Sequence, residues 1–578
     1  MFYSHFEPKS VNYQTFFDEA SKTQIIPALQ RIYTWEEKHI GKLFQDIIEN
    51  EQGYFIGTLV LIGSRSSASR DEVIDGQQRL TTLSIFMIAL RDILQNRPDC
   101  QNIVDEINQL LLNPKLKGTP DRRLKFTNDS ADLIFESLVL STKPPKEVND
   151  LQQRFLNNYD VCKDLILEYS PQLDFGKMEE LFNKFKSLEL VYIGCYDKSS
   201  AYKLFSSLNA TAVSLASTDL IKNSLLMTLS KNPEDLMKAE TQWLSLEENF
   251  ANELGLLPKF IRHQWISRGE YTTEPSLFDK FQKKYVDAED VKGVKEYLDG
   301  LLTDSELYLN FRNANIENLE NLPPARFDRR EVKETLEFLS YLNVDQVYSV
   351  LLSVYKNEKK FKNNLIKLTA FQFLFKHVPG SPSKVETVFA QYSSGAINLE
   401  KLFAELLKLC RNQSENFSDS FLNKTKYRPG GGKNGDLQFL LEKFLLNAGP
   451  NKIFSKSTIE HIVPQRPVKE DRIKLKALFG DLKQYNLFKH KIGNLTILEK
   501  SDNSSNDYSN KMFEEKKKHF ENDLYIANKA LLNYPFSDSP SLAIDERGKI
   551  LAESIYQIFL RALQSGQWTQ SQNKELND

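Results

Sequence analysis

Three segments near the C-terminal end decide how the catalytic half of this chain is read: TIEHIVPQ (458–465), IGNLTILEKSDNSSN (492–506) and NKMFEEKKKHF (510–520). The first ends an apolar strand on an adjacent acid and imidazole, Glu460 and His461. After an insertion, NLTIL reads as a second strand. A polar, asparagine-rich loop follows, and then a basic helix. The order is strand, loop, strand, helix.

The residue types suit phosphodiester hydrolysis. That reaction needs a base to activate water and a cation to stabilise the leaving oxygen and the developing charge. A neutral imidazole titrates near the working pH, which makes His461 a candidate base. A hard cation such as Mg²⁺ prefers oxygen ligands. Glu460 offers a carboxylate oxygen, and an asparagine from the helix side offers an amide oxygen. Adjacent side chains on a strand point to opposite faces. Glu460 and His461 therefore share one site only where the strand bends or loop backbone intervenes. Alone, His461 reads first as a buried, hydrogen-bonded strand histidine.

EHIVPQ resembles the DHIVPQ-type core of HNH (His-Me finger) nucleases, including that of the RNA-guided CRISPR nuclease. Glu460 stands where that core has aspartate, one methylene longer. Asn494 and Asn503 lie nine positions apart, as two functional asparagines do in similar HNH domains. The resemblance implies a ββα-metal motif with His461 as general base and Asn494 orienting the site. It implies Glu460 and Asn503 as metal ligands, with Asn506 a second candidate, and Mg²⁺ or Mn²⁺ as the ion. The region 437–565 resembles a GmrD-like domain, including Phe513 and Lys516 on the helix. Lys511, Lys516 and Lys517 are candidate phosphate contacts, the alternative being a solvated helix face. His490 and His519 read as solvated.

The first half carries three further clusters: IPALQRIYTW (26–35), DGQQRLTTL (75–83) and FSSLNATAVSLASTDLIKN (205–223). In the second, a strand ends in Asp-Gly and a helix begins at once. Free N–H groups and the dipole at a helix start favour an anion. Gly76 permits close backbone approach, Arg79 can pair with phosphate, and Gln77 and Gln78 donate or accept hydrogen bonds. Asp75 can hold a metal or a ribose, or simply cap the helix. There is no Walker A motif, because GGGKNGD (430–436) lacks its spacing. Together the three clusters resemble the GmrS-like domain of GmrSD-type modification-dependent restriction enzymes, over about 1–225. The matching residues are Ile26, Pro27, Gln30, Arg31, Tyr33, Trp35, Asp75 to Arg79, Asn209, Leu215, Asp219, Lys222 and Asn223. Where the family often has glycine after the LN pair, this chain has Ala212. The resemblance implies a fold similar to the ParB nucleotide-binding domain, binding or hydrolysis of an NTP, and sensing of modified DNA. Its nucleotide set would be Gln30, Arg31, Asp75, Gly76, Gln77, Gln78, Arg79, Asn209, Asp219 and Lys222. Tyr33 and Trp35 either pack in a core or stack on a base.

Composition fits this reading. At 578 residues the chain is too long for one ordinary domain. Hydrophobic residues make up 40% and charged residues 26%, as in a soluble globular protein. No apolar run approaches a bilayer span, and MFYSHFEPKS is not a signal peptide. Four scattered cysteines form no CxxC pair, so a disulfide framework is not expected and a reducing cytoplasm fits. The net charge is -3, yet residues 451–520 carry 15 Lys+Arg against 9 Asp+Glu. Such a local basic segment is compatible with nucleic acid or with a solvated surface.

FIGTLVLIG (55–63) and EVID predict a hairpin, LTTLSIFMIALRDIL (80–94) a helix, and Thr34 with Glu37 a capping box for the helix through 49. LELVYIGCY (188–196) predicts a strand. The expected architecture is α+β and predominantly helical. It comprises a nucleotide-binding domain (1–225), a helical middle (226–410), a polar, glycine-rich linker (411–436) and a nuclease domain (437–578). The function expected is a modification-dependent DNA endonuclease against bacteriophage, with modified DNA and NTP as partners, no membrane, and possible self-association. The alternatives are a nucleotide-regulated DNA sensor with a degenerate HNH site and a non-specific nuclease toxin.

Overall fold

The computed structural model describes residues 6–19, 23–29, 33–63, 71–113, 121–196, 198, 200–201, 204, 217–251, 253, 255–319, 326–430, 434–447, 457–499, 510–523 and 526–568. The chain is α+β and mainly helical. It divides into two compact units, Met1–Ile261 with Thr273–Ser305, and Arg262–Thr272 with Glu306–Asp578. The helical middle, 226–410, is divided between these two units. Its first part belongs to the first unit and its last part to the second.

The first unit is organised on a mixed six-stranded sheet. Its strands are β1 (Phe6–Asn12), β2 (Gln24–Ile26), β3 (Phe55–Ile62), β4 (Asp71–Asp75), β7 (Leu124–Phe126) and β8 (Glu189–Cys195), in the order β1-β8-β3-β4-β2-β7. Two short strands, β5 (Leu112–Asn113) and β6 (Asp121–Arg122), pair separately. The β3–β4 hairpin forms as expected, with a register shift between Val60 and Leu61. Helix α1 (Glu37–Glu49) begins two residues later than a cap at Thr34 would place it: its N-cap is Glu36, whose N–H donates to His39 Nδ1 at 3.2 Å. Helix α2 (Gln77–Leu94) is apolar almost all round, and Leu83, Ile85, Phe86, Met87, Ile88, Ala89 and Leu90 are all buried. Such a helix has no solvent face and must run through a core. It packs on the helix Asp150–Tyr169.

The second unit has a helical core around α3 (Phe361–His377), again buried on nearly every side. Residues 411–436 are not a linker throughout. Ser414–Lys424 forms helix α4, because Phe417 and Phe421 are fully buried, with Phe417 against Phe373 and Tyr556. The polar residues of that segment face outward and hid the pattern. Among the described residues, no helix is long and apolar enough to cross a membrane. All four cysteines are buried free thiols.

His377 lies among Phe373, Phe417 and Phe421, with Nδ1 3.3 Å from Ser420 Oγ. Burial, aided by the charges of Lys376 and Lys424, pushes its pKa down to about 3. The unfolded chain binds this proton near the ordinary pKa of 6.5, and the folded chain refuses it. Stability is therefore full above about pH 6.5 and is lost progressively as pH falls toward 3. Thermal unfolding should show a loss on the order of 2 kcal/mol from this group at pH 5 relative to pH 7.5. His377→Phe should remove that part of the pH dependence, and an unchanged dependence would show that His377 is not its source.

Candidate active site

The second unit joins strands β9 (Ser457–His461) and β10 (Leu495–Glu499) as an antiparallel pair, with Glu460 opposite Thr496 and His461 opposite Leu495. Between them the chain makes helices α5 (Lys469–Phe479) and α6 (Leu482–Phe488), and after them helix α7 (Phe513–Glu521). This is the strand, strand, helix order read from the sequence.

Asn494 is fully buried at the start of β10. Its Oδ1 accepts from Val463 N–H at 2.8 Å, and its Nδ2 donates to the carbonyls of Val463 (3.0 Å) and Lys489 (2.9 Å). All three bonds hold backbone, so Asn494 staples the turn after His461 to the segment that carries His490. From helix α8 (Pro540–Ser565), the buried guanidinium of Arg547 donates to the carbonyls of Gly493 (2.9 Å) and Leu495 (2.8 Å). Burial lowers its pKa to about 10.

Lys516 on α7 is 1% exposed. Its ammonium donates to Glu460 Oε1 at 2.5 Å and to the His461 carbonyl at 2.6 Å. One cation thus grips the Glu460 side chain and the His461 backbone together. The expectation that Lys516 contacts phosphate is corrected, since its charge is spent inside the protein. Lys517 pairs with Glu514 at 2.7 Å, and Lys511 is half-buried.

The His461 imidazole is buried, with Nε2 3.3 Å from His490 Nδ1. Tyr427 stands edge-on to His461 at 4.7 Å and stacks on His490 at 5.6 Å. Burial pushes the His461 pKa down to about 3, reinforced by His490, Lys516 and Lys489. His461 is therefore a neutral imidazole around pH 7. His490 was expected to be solvated, yet it is half-buried and touches the candidate base. Tyr427 fell within the expected linker. Its N–H donates to the His490 carbonyl at 3.0 Å, and Lys426 bridges Lys491. A pairing of Tyr427 with His490, 63 residues apart in sequence, makes that neighbourhood, and no local pattern announces it.

Among the described residues, no three His, Cys, Asp or Glu side chains cluster as a metal site. Glu460 is buried and Lys516 holds one of its two oxygens, so it offers a hard cation at most its other carboxylate oxygen. Asn503 and Asn506 lie outside the described residues.

In the first unit, the DGQQR segment is largely architectural. Gly76 adopts φ +90, and a Cβ there would collide with Leu59. Arg79 donates to the carbonyls of Ile56 (2.5 Å) and Thr58 (2.8 Å), around Gly57 at φ +104. A Cβ on Gly57 would strike the Arg79 guanidinium. Arg79 is thus a clasp on β3, which corrects its expected role as a phosphate partner. Burial raises the pKa of Asp75, opposed by neighbouring Arg79 and the Gly76 N–H. Gln78 Oε1 accepts from Thr34 N–H at 2.8 Å. Gln77 lines a pocket with Ile26, Pro27, Tyr33, Gln78 and Thr81, and its Oε1 has no hydrogen-bond partner among the described residues.

Lys222 is also spent internally, on Glu247 at 2.6 Å beneath Trp243. Asp219 occupies the first turn of the same helix. Tyr33 is buried and bonded to Thr82 at 2.8 Å, so it is a core residue rather than a stacking platform. Trp35 is half-buried and stacks on His39. Gln30, Arg31 and Asn209 lie outside the described residues.

This pairing of a clasped Gly-Gln-Gln-Arg turn with a strand–strand–helix site is matched by two family models. The GmrSD restriction endonuclease N-terminal domain matches residues 13–226, and the GmrSD restriction endonucleases C-terminal domain matches residues 412–554. Together they span well over half of the chain, which belongs to the GmrSD restriction endonuclease family. No match to a curated protein was found.

Lys516→Met should leave the Glu460 carboxylate buried without its partner and destabilise the second unit by about 3–5 kcal/mol in chemical denaturation. Arg79→Ala should lower stability of the first unit by about 1–3 kcal/mol through the orphaned Ile56 and Thr58 carbonyls. A stable Arg79→Ala protein with weakened nucleotide affinity would restore the phosphate role.

Proposed function

We propose that this chain is a modification-dependent DNA endonuclease of anti-phage defence, cutting through an HNH-type site in its second unit. The observation that carries this reading is the placement of His461 at the end of β9, fixed by the Asn494 staple on the following turn and the Lys516 tether on its carbonyl. A neutral imidazole accepts the proton of an attacking water, and the new P–O bond forms as the P–O bond to the leaving sugar oxygen breaks. The departing oxygen takes up a proton to complete hydrolysis. Asn494 acts through backbone, by keeping the turn after His461 in place. Glu460, with Asn503 or Asn506, would hold a Mg²⁺ or Mn²⁺ ion, which when bound would supply Lewis-acid stabilisation of the charge on the scissile phosphate. Glu460 supports that role as a hard oxygen donor, and its longer side chain compared with aspartate alters the reach.

For the first unit we propose a ParB-like domain that binds or hydrolyses an NTP and senses modified DNA. With Arg79 and Lys222 committed to internal contacts, Gln77 and its pocket are the better-supported ligand contact.

The test compares wild type with His461→Ala on modified phage DNA and on unmodified plasmid, with Mg²⁺ or Mn²⁺, with and without NTP. Wild type should cut modified DNA alone and lose cutting in EDTA. The variant should lose at least 1,000-fold in rate, in keeping with loss of a base acting in a coupled site, while retaining DNA binding. Equal cutting of unmodified DNA or RNA would favour a non-specific nuclease. No cutting under any condition would favour a sensor.

A further inference from the structure

The insertion between the two site strands carries a surface that hydrolysis does not explain. Helix α5 has two faces. Asp471, Leu475 and Phe479 are buried, with Leu478 half-buried. On the opposite side Lys469, Arg472, Ile473 and Lys476 are exposed at spacings i, i+3, i+4 and i+7. Arg466 before the helix and Lys483 on α6 are exposed too.

Charge on this insertion is lopsided. Residues 466–484 hold six cations and three acids. Asp471 is buried and pairs with Lys474 at 3.2 Å. Asp481 is engaged as the α6 cap, accepting from Gln484 N–H at 2.7 Å. Among the described residues, Arg466, Lys469, Arg472, Lys476 and Lys483 make no ion pair, and Glu470 is the remaining exposed acid. On α7, Lys516 is buried and Lys517 is paired, which leaves Lys518 as that helix's exposed cation without an ion pair among the described residues.

We propose that the Lys469–Arg472–Lys476 stripe of α5, with Arg466 and Lys483, is the surface of the nuclease unit that holds the DNA backbone. The proposal rests on the restriction-endonuclease class and not on the role of His461. A helix rises about 1.5 Å per residue, so Lys469 and Lys476 stand about 10 Å apart. Long, flexible side chains at that spacing reach neighbouring phosphates of one strand. Ile473, 70% exposed, sits amid the cations, where an apolar tip meets sugar or base edges. An anionic membrane is a poorer fit. An interfacial helix buries a broad apolar face in lipid, whereas the exposed apolar residues of this insertion, Val468, Ile473, Leu482 and Leu487, are interspersed in sequence with its cations.

The test uses the full chain carrying His461→Ala, so that binding is read without cutting. Fluorescence anisotropy with a labelled duplex is recorded from 50 to 300 mM salt. Lys469→Gln/Arg472→Gln/Lys476→Gln should weaken binding at least tenfold at 100 mM salt. The slope of log K against log salt should fall by about 2.7, at roughly 0.9 per lost phosphate contact. A charge-matched control, Lys359→Gln/Lys360→Gln/Lys384→Gln, alters exposed residues elsewhere in the same unit and should change affinity less than twofold. Unfolding temperatures of both triple variants should match the parent. Equal loss in both variants, or loss in neither, overturns the proposal. So does stripe-dependent binding to phosphatidylserine vesicles with DNA affinity unchanged. Residual cutting in the His461→Ala background would overturn the proposed chemistry while leaving the binding comparison readable.

Discussion

One buried ammonium organises the second unit. Lys516 reaches from α7 to the end of β9 and binds the Glu460 carboxylate and the His461 carbonyl at 2.5 and 2.6 Å. A buried charge is tolerated only when paired and fully hydrogen-bonded. That requirement makes the two candidate site residues and the helix interdependent: α7 cannot move without exposing or orphaning a charge. Asn494 and Arg547 complete the frame by binding backbone on the other side of the turn. The His461 imidazole is thus placed by groups that act on main chain, leaving its ring to His490 and Tyr427.

The first unit uses the same economy. Arg79 and Lys222 look like phosphate ligands in a linear sequence, yet each is consumed by an internal partner, β3 carbonyls for one and Glu247 for the other. Gly57 and Gly76 make the close approaches possible. The Oε1 of Gln77, in its pocket, has no hydrogen-bond partner among the described residues.

Much of this was legible in the sequence, and the failures share a cause. The strand–strand–helix order, the β3–β4 hairpin and the buried α2 were readable because local pattern determines them. Glu460, His461 and Asn494 stood out through the resemblance to HNH cores; in the structure Glu460 and His461 end β9 opposite β10, and Asn494 binds the backbone of Val463 just beyond them. What was misread depended on partners distant in the chain. Lys516 looked like one of a lysine cluster until Glu460, 56 residues away, claimed it. Tyr427 and His490 are brought together by the Lys426–Lys491 bridge and the bond from Tyr427 N–H to the His490 carbonyl. Helix α4 was hidden because only Phe417 and Phe421 betray its buried face in an otherwise polar segment.

The central claim is that the imidazole of His461 accepts the proton of the attacking water. Chemical rescue measures this most directly. Single-turnover cleavage by His461→Gly should be negligible, and added imidazole should restore it in proportion to the concentration of the neutral form, while leaving the wild-type rate unchanged. Cleavage by His461→Gly at the wild-type rate without imidazole would contradict the account.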